Sequence, residues 1–308
     1  MRDSTVVEEL TGSEVVRERR IAEQERMLGS LRDALHYYNH DLGFIGILAF
    51  SGNPATLIAK ATEARELCRT GLEALVHPPS GMVDTHGADP LGEARAIVDS
   101  FMNVPLLLTP EATVTQREVA FGHLKRMAAQ LRVDTGKWYQ GGVFNVQGHF
   151  ARPFTKQGCA PDSTGWTRGL AWVSYGLRIV RQRGLDLGGL DLAAEITELD
   201  RLLLAPARDT LVPWDLAATE TDAKDSGALA IALAGHCQFD DGELLADNVA
   251  LLERAGAIVE APESGSLLRL STYHVPHGAG INGSTAWGDY FYLEALASAA
   301  GFRSPYHY

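Results

Sequence analysis

The sequence predicts an all-α protein built as a toroid of alternating inner and outer helices. Three observations carry that expectation. Apolar residues recur at helical spacing along almost the whole chain, while alternating β-branched runs are few. The helices so predicted come in two kinds, one amphipathic and charged, the other nearly uncharged. The uncharged kind starts each time at a polar or aromatic anchor (Asp41, Asp99, Trp166, Asp225, Trp287), and successive anchors lie 58 to 67 residues apart. A repeat of about 60 residues, holding one outer and one inner helix, is what an α/α toroid requires.

In chain order, helices are expected near 14–36, 42–51, 54–76, 99–109, 114–132, 165–183, 190–204, 225–238, 242–257 and 286–300. Those near 14, 54, 114, 190 and 242 carry charge on one side, as in "SEVVRERRIAEQERMLGSLRDALHYY", and should bury one face only. Those near 42, 99, 165, 225 and 286 are nearly charge-free past their first turn, as in "LGFIGILAF", "FMNVPLLL", "GLAWVSYGL" and "SGALAIALAG". They are apolar nearly all round and must be buried. Between them, residues 133–164 are rich in Gly and aromatics and read as one long ordered loop, a place where function often sits. In a toroid the inner helices run parallel, so their N-terminal anchors are expected on one rim, lining a common funnel. Five pairs are counted where a closed six-fold barrel, (α/α)6, needs six, and the expected gap is at the N-terminus.

Composition narrows the classes of function. With 308 residues and 45% hydrophobic content, the chain can bury a large core, and it is read as one catalytic domain over 1–308. A formal charge of −12 argues against nucleic acid, which demands a basic face. No apolar stretch reaches the roughly 18 residues of a membrane-spanning helix. The start "MRDSTVVEEL" lacks the design of a secretion signal. Cys68, Cys159 and Cys237 form no CxxC pair, so the expected location is the reducing cytoplasm. Neither a metal nor an organic cofactor is expected. The one close histidine spacing, His274-Val-Pro-His277, contains a proline that rules out a helical zinc pair and reads as solvated loop. P-loop, dinucleotide-binding and GxSxG signatures are missing.

The carboxylates at the anchors have two readings. Asp is a favoured N-cap, and singly Asp41, Asp99 and Asp225 read as caps. Placed together on one rim, Asp41 and Asp99 could form an acid/base pair, one ionised and one protonated. At the third anchor, "DSTGWTRGLAW", Ser163 or Thr164 is the expected cap. Arg168 and Trp172 there share a helix face. Arg168 offers a fork to a carboxylate, and the indoles of Trp166 and Trp172 offer flat faces to a sugar. Packing of Arg on Trp is the competing reading. It is set lower because a buried Arg without an anionic partner is costly.

Five stretches in order, "NHDLGF", "IVDSFMNVPLL", "QGCAPDSTGWTRGLAWVSYG", "PWDLAATETDAKDSGALAIALAG" and "GSTAWGDYFYLEAL", together resemble the unsaturated glucuronyl hydrolases, glycoside hydrolase family 88. The resemblance implies an (α/α)6 barrel acting on oligosaccharides that carry a Δ4,5-unsaturated uronic acid at the non-reducing end. It implies Asp99 as general acid/base and Asp41 as the second essential carboxylate. Gln157, Trp166, Arg168 and Trp172 match family substrate contacts, and His40 flanks Asp41. Gln140 stands in "DTGKWYQ" where the family often has a histidine. Family members usually carry a further N-terminal helical pair, for which nothing corresponds in this sequence. The sister family of unsaturated rhamnogalacturonyl hydrolases, and a sugar-binding barrel without turnover, are the alternatives.

Overall fold

The computed structural model describes residues 2–34, 39–50, 58–87, 92–219, 222–259 and 265–308. It divides into two compact units. One comprises Met1–Met127, Gly142–Arg152 and Phe302–Tyr308, the other Ala128–Gly141 and Pro153–Gly301.

The first unit opens with α1 (Arg2–Thr11) and α2 (Glu14–Ala34), joined at Gly12, whose φ of +64° suits a residue without a Cβ. The buried guanidinium of Arg20 holds Glu8 at 2.7 Å and ties the two together. Along α2, residues Arg20, Gln24, Leu28 and Leu31 bury one stripe. Next comes α3 (Leu42–Phe44), which runs straight into a π turn at Ile45–Ala49, and then α4 (Ile58–Ala74). The α4 stripe is Ala61, Ala64, Cys68, Gly71 and Leu72. A short antiparallel pair follows, β1 (Val76–His77) and β2 (Met82–Val83), then β3 (Ala94–Ile97). Helix α5 (Ser100–Asn103) tightens to a 3-10 turn at Val104–Leu108 where Pro105 supplies no N–H, and most of α6 (Val114–Leu131) completes the unit. The two short uncharged helices are the buried ones. They lie so close that a Cβ on Gly43 would sit 2.1 Å from the Asn103 carbonyl oxygen.

Past α6 the chain forms the hairpin β4 (Arg132–Asp134) and β5 (Lys137–Trp138), then β6 (Gly141–Phe144) and β7 (Phe150–Phe154), which join β3 in the order β3-β6-β7. The second unit then builds α7 (Thr167–Gln182), α8 (Leu192–Leu203), α9 (Ser226–Phe239), α10 (Leu245–Arg254) and α11 (Ala286–Ser298). Every residue of α7 from Thr167 to Val180 is buried, and so is α9 from Ser226 to His236. By contrast α8 buries Glu195, Ile196, Leu199 and Leu203, and α10 buries Asn248, Leu251 and Leu252. Helix α9 packs against both α7 and α11. Where it meets α7, Gly235 lets the backbones approach, since a Cβ would be 3.1 Å from the Tyr175 Cα.

All ten expected helices are present, with ends moved by a few residues. Positions 35–36, 51 and 54–57 of those expectations lie outside the described residues. Two corrections follow. Helix α1 was not foreseen: its large apolar residues are Val6, Val7 and Leu10 alone, too few to set a helical period. The expected loop over 133–164 contains most of β4 and all of β5, β6 and β7. Strands β4 and β5 are too short for alternation to be read, and β6 and β7, four and five residues long, do not alternate buried with exposed positions.

Gly43→Ala should force α3 off α5 and destabilise the fold by about 1–3 kcal/mol. Gly29→Ala on α2, where a Cβ meets nothing within 4 Å, should stabilise it by up to about 1 kcal/mol; urea unfolding of the two variants measures both. A second expectation concerns acid. His123 on α6 is fully buried, its Nδ1 accepts the Val83 N–H at 3.0 Å, and burial pushes its pKa down to about 3. Between that value and the ordinary one the unfolded chain binds a proton that the folded chain does not. Stability is therefore full above pH ~6.5 and falls as the pH drops, by about 2 kcal/mol at pH 5. His123→Asn keeps an acceptor and should flatten that slope in unfolding measurements between pH 7 and 5.

Candidate active-site residues

In the first unit, Asp41 and Asp99 occupy the N-cap positions of α3 and α5, but neither carboxylate accepts a capping hydrogen bond. The work is done by Asn103, one turn into α5. Its Oδ1 accepts the Phe44 N–H at 2.8 Å, and its Nδ2 donates to the Asp99 carbonyl at 3.2 Å and to Asp41 Oδ1 at 3.4 Å. One carboxamide thus holds the starts of both buried helices together and touches the Asp41 carboxylate. The Asp41 side chain is half exposed (51%), while Asp99 is partly buried. His40 is buried, with Nε2 3.7 Å from Asp41 Oδ1 and Nδ1 3.4 Å from Ser100 Oγ. Burial lowers its pKa, against the pull of Asp41, so a neutral imidazole stands beside that carboxylate. The reading of these two aspartates as caps is therefore answered by the geometry: capping does not use them.

In the second unit, Trp166 takes the N-cap position of α7 and Arg168 sits in the first turn. The expected cap, Ser163 or Thr164, is corrected: Ser163 Oγ donates to Asp215 Oδ2 at 2.6 Å, and the Thr167 N–H goes to the Trp214 carbonyl at 3.1 Å. Arg168 is 4% exposed, its guanidinium carbon 4.9 Å from the Trp166 ring and 5.1 Å from the Trp287 ring. Nη1 donates to the Thr272 carbonyl and lies 3.4 Å from Asp225 Oδ2. Nη2 donates to Gln157 Oε1 and, at 2.8 Å, to the Tyr273 carbonyl.

Two expectations are corrected here. Arg168 was given an open fork because no anionic partner was visible; Asp225 is that partner. Asp225 is fully buried, caps α9 through the Ala228 N–H at 3.2 Å, and accepts from Ser271 Oγ at 3.2 Å. Burial raises its pKa, with Arg168, the Ala228 and Thr272 amides and the Ser271 hydroxyl opposing. Trp166 and Trp172, both expected as sugar platforms, are only 3% and 4% exposed: Trp166 lies against the Arg168 guanidinium, and Trp172 packs edge-to-face on Phe291 at 5.4 Å, one turn deeper than Arg168. Gln140 is also buried, and its Oε1 accepts the backbone N–H groups of Lys156 at 2.6 Å and Gln157 at 3.1 Å, fastening the segment that carries Gln157.

Beyond Gln157 opens a cavity of about 480 Å³ lined by Gly158, Cys159, Trp214, Ala218, Val275 and Pro276, among others. The aromatic exposed nearby is Tyr273, 52% accessible and 5.9 Å from the Trp287 ring. Sequence reading passed over Tyr273 and Asn103. Asn103 had a detectable signal, lying four residues after Asp99 on one helix face; Tyr273, in a turn, had none. His274 and His277 lie in the turn expected for them, their rings stacked at 3.9 Å. Among the described residues, one group of side chains could converge on a metal: Asp200, His236 and Asp240. That position already holds a cation. The buried Arg178 bonds Asp200 Oδ2 at 2.5 Å and Asp240 Oδ2 at 2.7 Å.

No family model matches the chain. Individual proteins do. The unsaturated glucuronyl hydrolase of Bacillus sp. (strain GL1) is 30% identical over 94% of this chain and 81% of its own length. The unsaturated chondroitin disaccharide hydrolase of Streptococcus pyogenes serotype M1 is 26% identical, over 87% of this chain and 71% of its own. The crystal structure of the Bacillus sp. GL1 unsaturated glucuronyl hydrolase, responsible for the degradation of glycosaminoglycan, superposes with a TM-score of 0.78 at 27% identity. It covers 95% of this chain and 82% of that one. The fold class expected from the period, an all-α barrel of inner and outer helices of the (α/α)6 type, is that of these structures. On identity and coverage alike, the chain belongs to the unsaturated glucuronyl hydrolases.

Proposed function

We propose that this protein removes a Δ4,5-unsaturated uronic acid from the non-reducing end of oligosaccharides left by polysaccharide lyases, with residues 1–308 as one catalytic domain. The observation that carries the proposal is the pair Asp41 and Asp99. Each stands at the start of a buried helix, Asn103 ties the two starts together, and neither carboxylate is spent on capping. Asp99 protonates C4 of the enol ether, and positive charge develops at C5, shared with the ring oxygen. Water adds at C5 and gives up a proton to the same carboxylate, which restores the acid. The resulting hemiketal opens and expels the remaining sugar. One carboxyl group that gives and then takes a proton is enough for this cycle. It differs from glycosidases that attack the anomeric carbon with a carboxylate pair. Asp41 orients the substrate and tunes Asp99 beside a neutral His40. Gln157, Trp166 and Arg168 contribute the uronate side, with Trp172 and Gln140 supporting them from beneath.

The substrate class follows the relatives, whose names specify unsaturated glucuronyl and chondroitin disaccharide hydrolysis. That favours glycosaminoglycan fragments over pectin fragments. A cytoplasmic enzyme of carbohydrate breakdown fits the three scattered free cysteines. It also fits the finding that no described helix is long and apolar enough to cross a membrane.

Incubation with unsaturated chondroitin, hyaluronan and pectin disaccharides should bleach the ultraviolet absorbance of the C4=C5 bond, fastest for the glycosaminoglycan pair. Asp99→Asn should lower the rate by about 100-fold or more. A well-folded protein that leaves all three absorbances unchanged would remove the hydrolase reading and leave sugar binding without turnover.

A further inference from the structure

A glutamine side chain has an accepting end and a donating end, and its neighbours decide which way it faces. Arginine can only donate. The atom of Gln157 that meets Arg168 Nη2 is therefore the oxygen, and the Nε2 amine is turned away from Arg168. Gln140 is oriented by the same logic, because its oxygen is taken by two backbone N–H groups. Among the described residues neither Nε2 donates to the protein, and neither is a fully buried, unsatisfied atom. Arg168, meanwhile, has both terminal nitrogens engaged: its guanidinium carbon lies over two indoles, and Nη1 and Nη2 meet Asp225, Gln157 and the carbonyls of Thr272 and Tyr273. An incoming carboxylate meets amide N–H groups here, with the guanidinium behind them.

We propose that Asp225 is a positioning residue for the hydrolysis: by engaging one edge of Arg168 it turns the other edge to Gln157, which presents its Nε2 amine to the substrate uronate. This rests on the hydrolase reading above. Asp225 is suited to the task because its own position is over-determined by Ala228, Ser271 and Thr272. The guanidinium between Trp166 and Trp287 is thereby tied to the α9 N-terminus as well as to the Thr272 and Tyr273 carbonyls.

Asp225→Asn tests it, since asparagine is an equally good N-cap and keeps the acceptor for Ala228 while removing the charge opposite Arg168. With the absorbance assay on an unsaturated glycosaminoglycan disaccharide, D225N should raise KM about tenfold and leave kcat within about twofold, the size expected for one charge-linked hydrogen bond. Gln157→Ala should raise KM similarly. The double variant should match Q157A alone, because Asp225 acts through Gln157. Arg168→Lys, whose ammonium can stay on Asp225 but has no fork to hold Gln157, should show the same KM rise and the same non-additivity even if D225N fails to fold. An unchanged KM in D225N or R168K, or effects that multiply in the double variant, would overturn the positioning role while parental turnover keeps the hydrolase reading intact. A parent protein without turnover on any unsaturated disaccharide overturns both.

Discussion

A helix buried on every side cannot give the N–H groups of its first turn to water, and the protein has to answer them from within. The buried helices of this chain do so with different groups. Asp225 caps α9, Thr285 caps α11, the Trp214 carbonyl receives the Thr167 N–H of α7, and Asn103 reaches from α5 to the Phe44 N–H of α3. Polar side chains therefore gather at these helix starts by necessity, inside an otherwise apolar packing.

The requirement also separates acids that cap a helix start from acids that stand at one without capping it. Asp225 is consumed by its cap, by Ser271 and by Arg168, whereas Asp41 and Asp99 stand at equivalent positions without capping. Elsewhere buried charge comes paired. Glu195 takes Arg132, the Trp138 indole N–H and the Gly136 amide; Arg178 takes Asp200 and Asp240; Arg20 takes Glu8. An ion left alone in such surroundings would cost several kcal/mol, roughly, so partners are present wherever water is not. The Asp41 carboxylate is instead half exposed to water, beside a buried histidine whose pKa burial lowers.

Aromatic side chains divide in the same manner. Trp166 and Trp287 face the Arg168 guanidinium from two sides, and Trp172 and Phe291 lie beneath them in the packing of α7 with α11. Their bulk sets where the cation sits, and Gln140 sets where the segment bearing Gln157 runs. The side-chain amides of Gln140 and Gln157 thus take their orientation from the groups packed around them.

Sequence alone determined the helical class, helices α2 to α11, the alternation of buried and half-buried helices and the recurrence of polar anchors. Each follows from local periodicity, which every residue carries with it. By motif it also raised the expectation that Asp41, Asp99, Gln157 and Arg168 are functional residues. Tertiary structure decided what spacing cannot encode. It showed that Arg168 already has its anion in Asp225, 57 residues away, that Trp172 is core, and that Asn103 joins two helix starts across about 60 residues. It also revealed strands too short to be read in residues 133–164. Those are pairings between groups distant along the chain. Their reason is burial: only when the helices close over them does each donor have to find an acceptor.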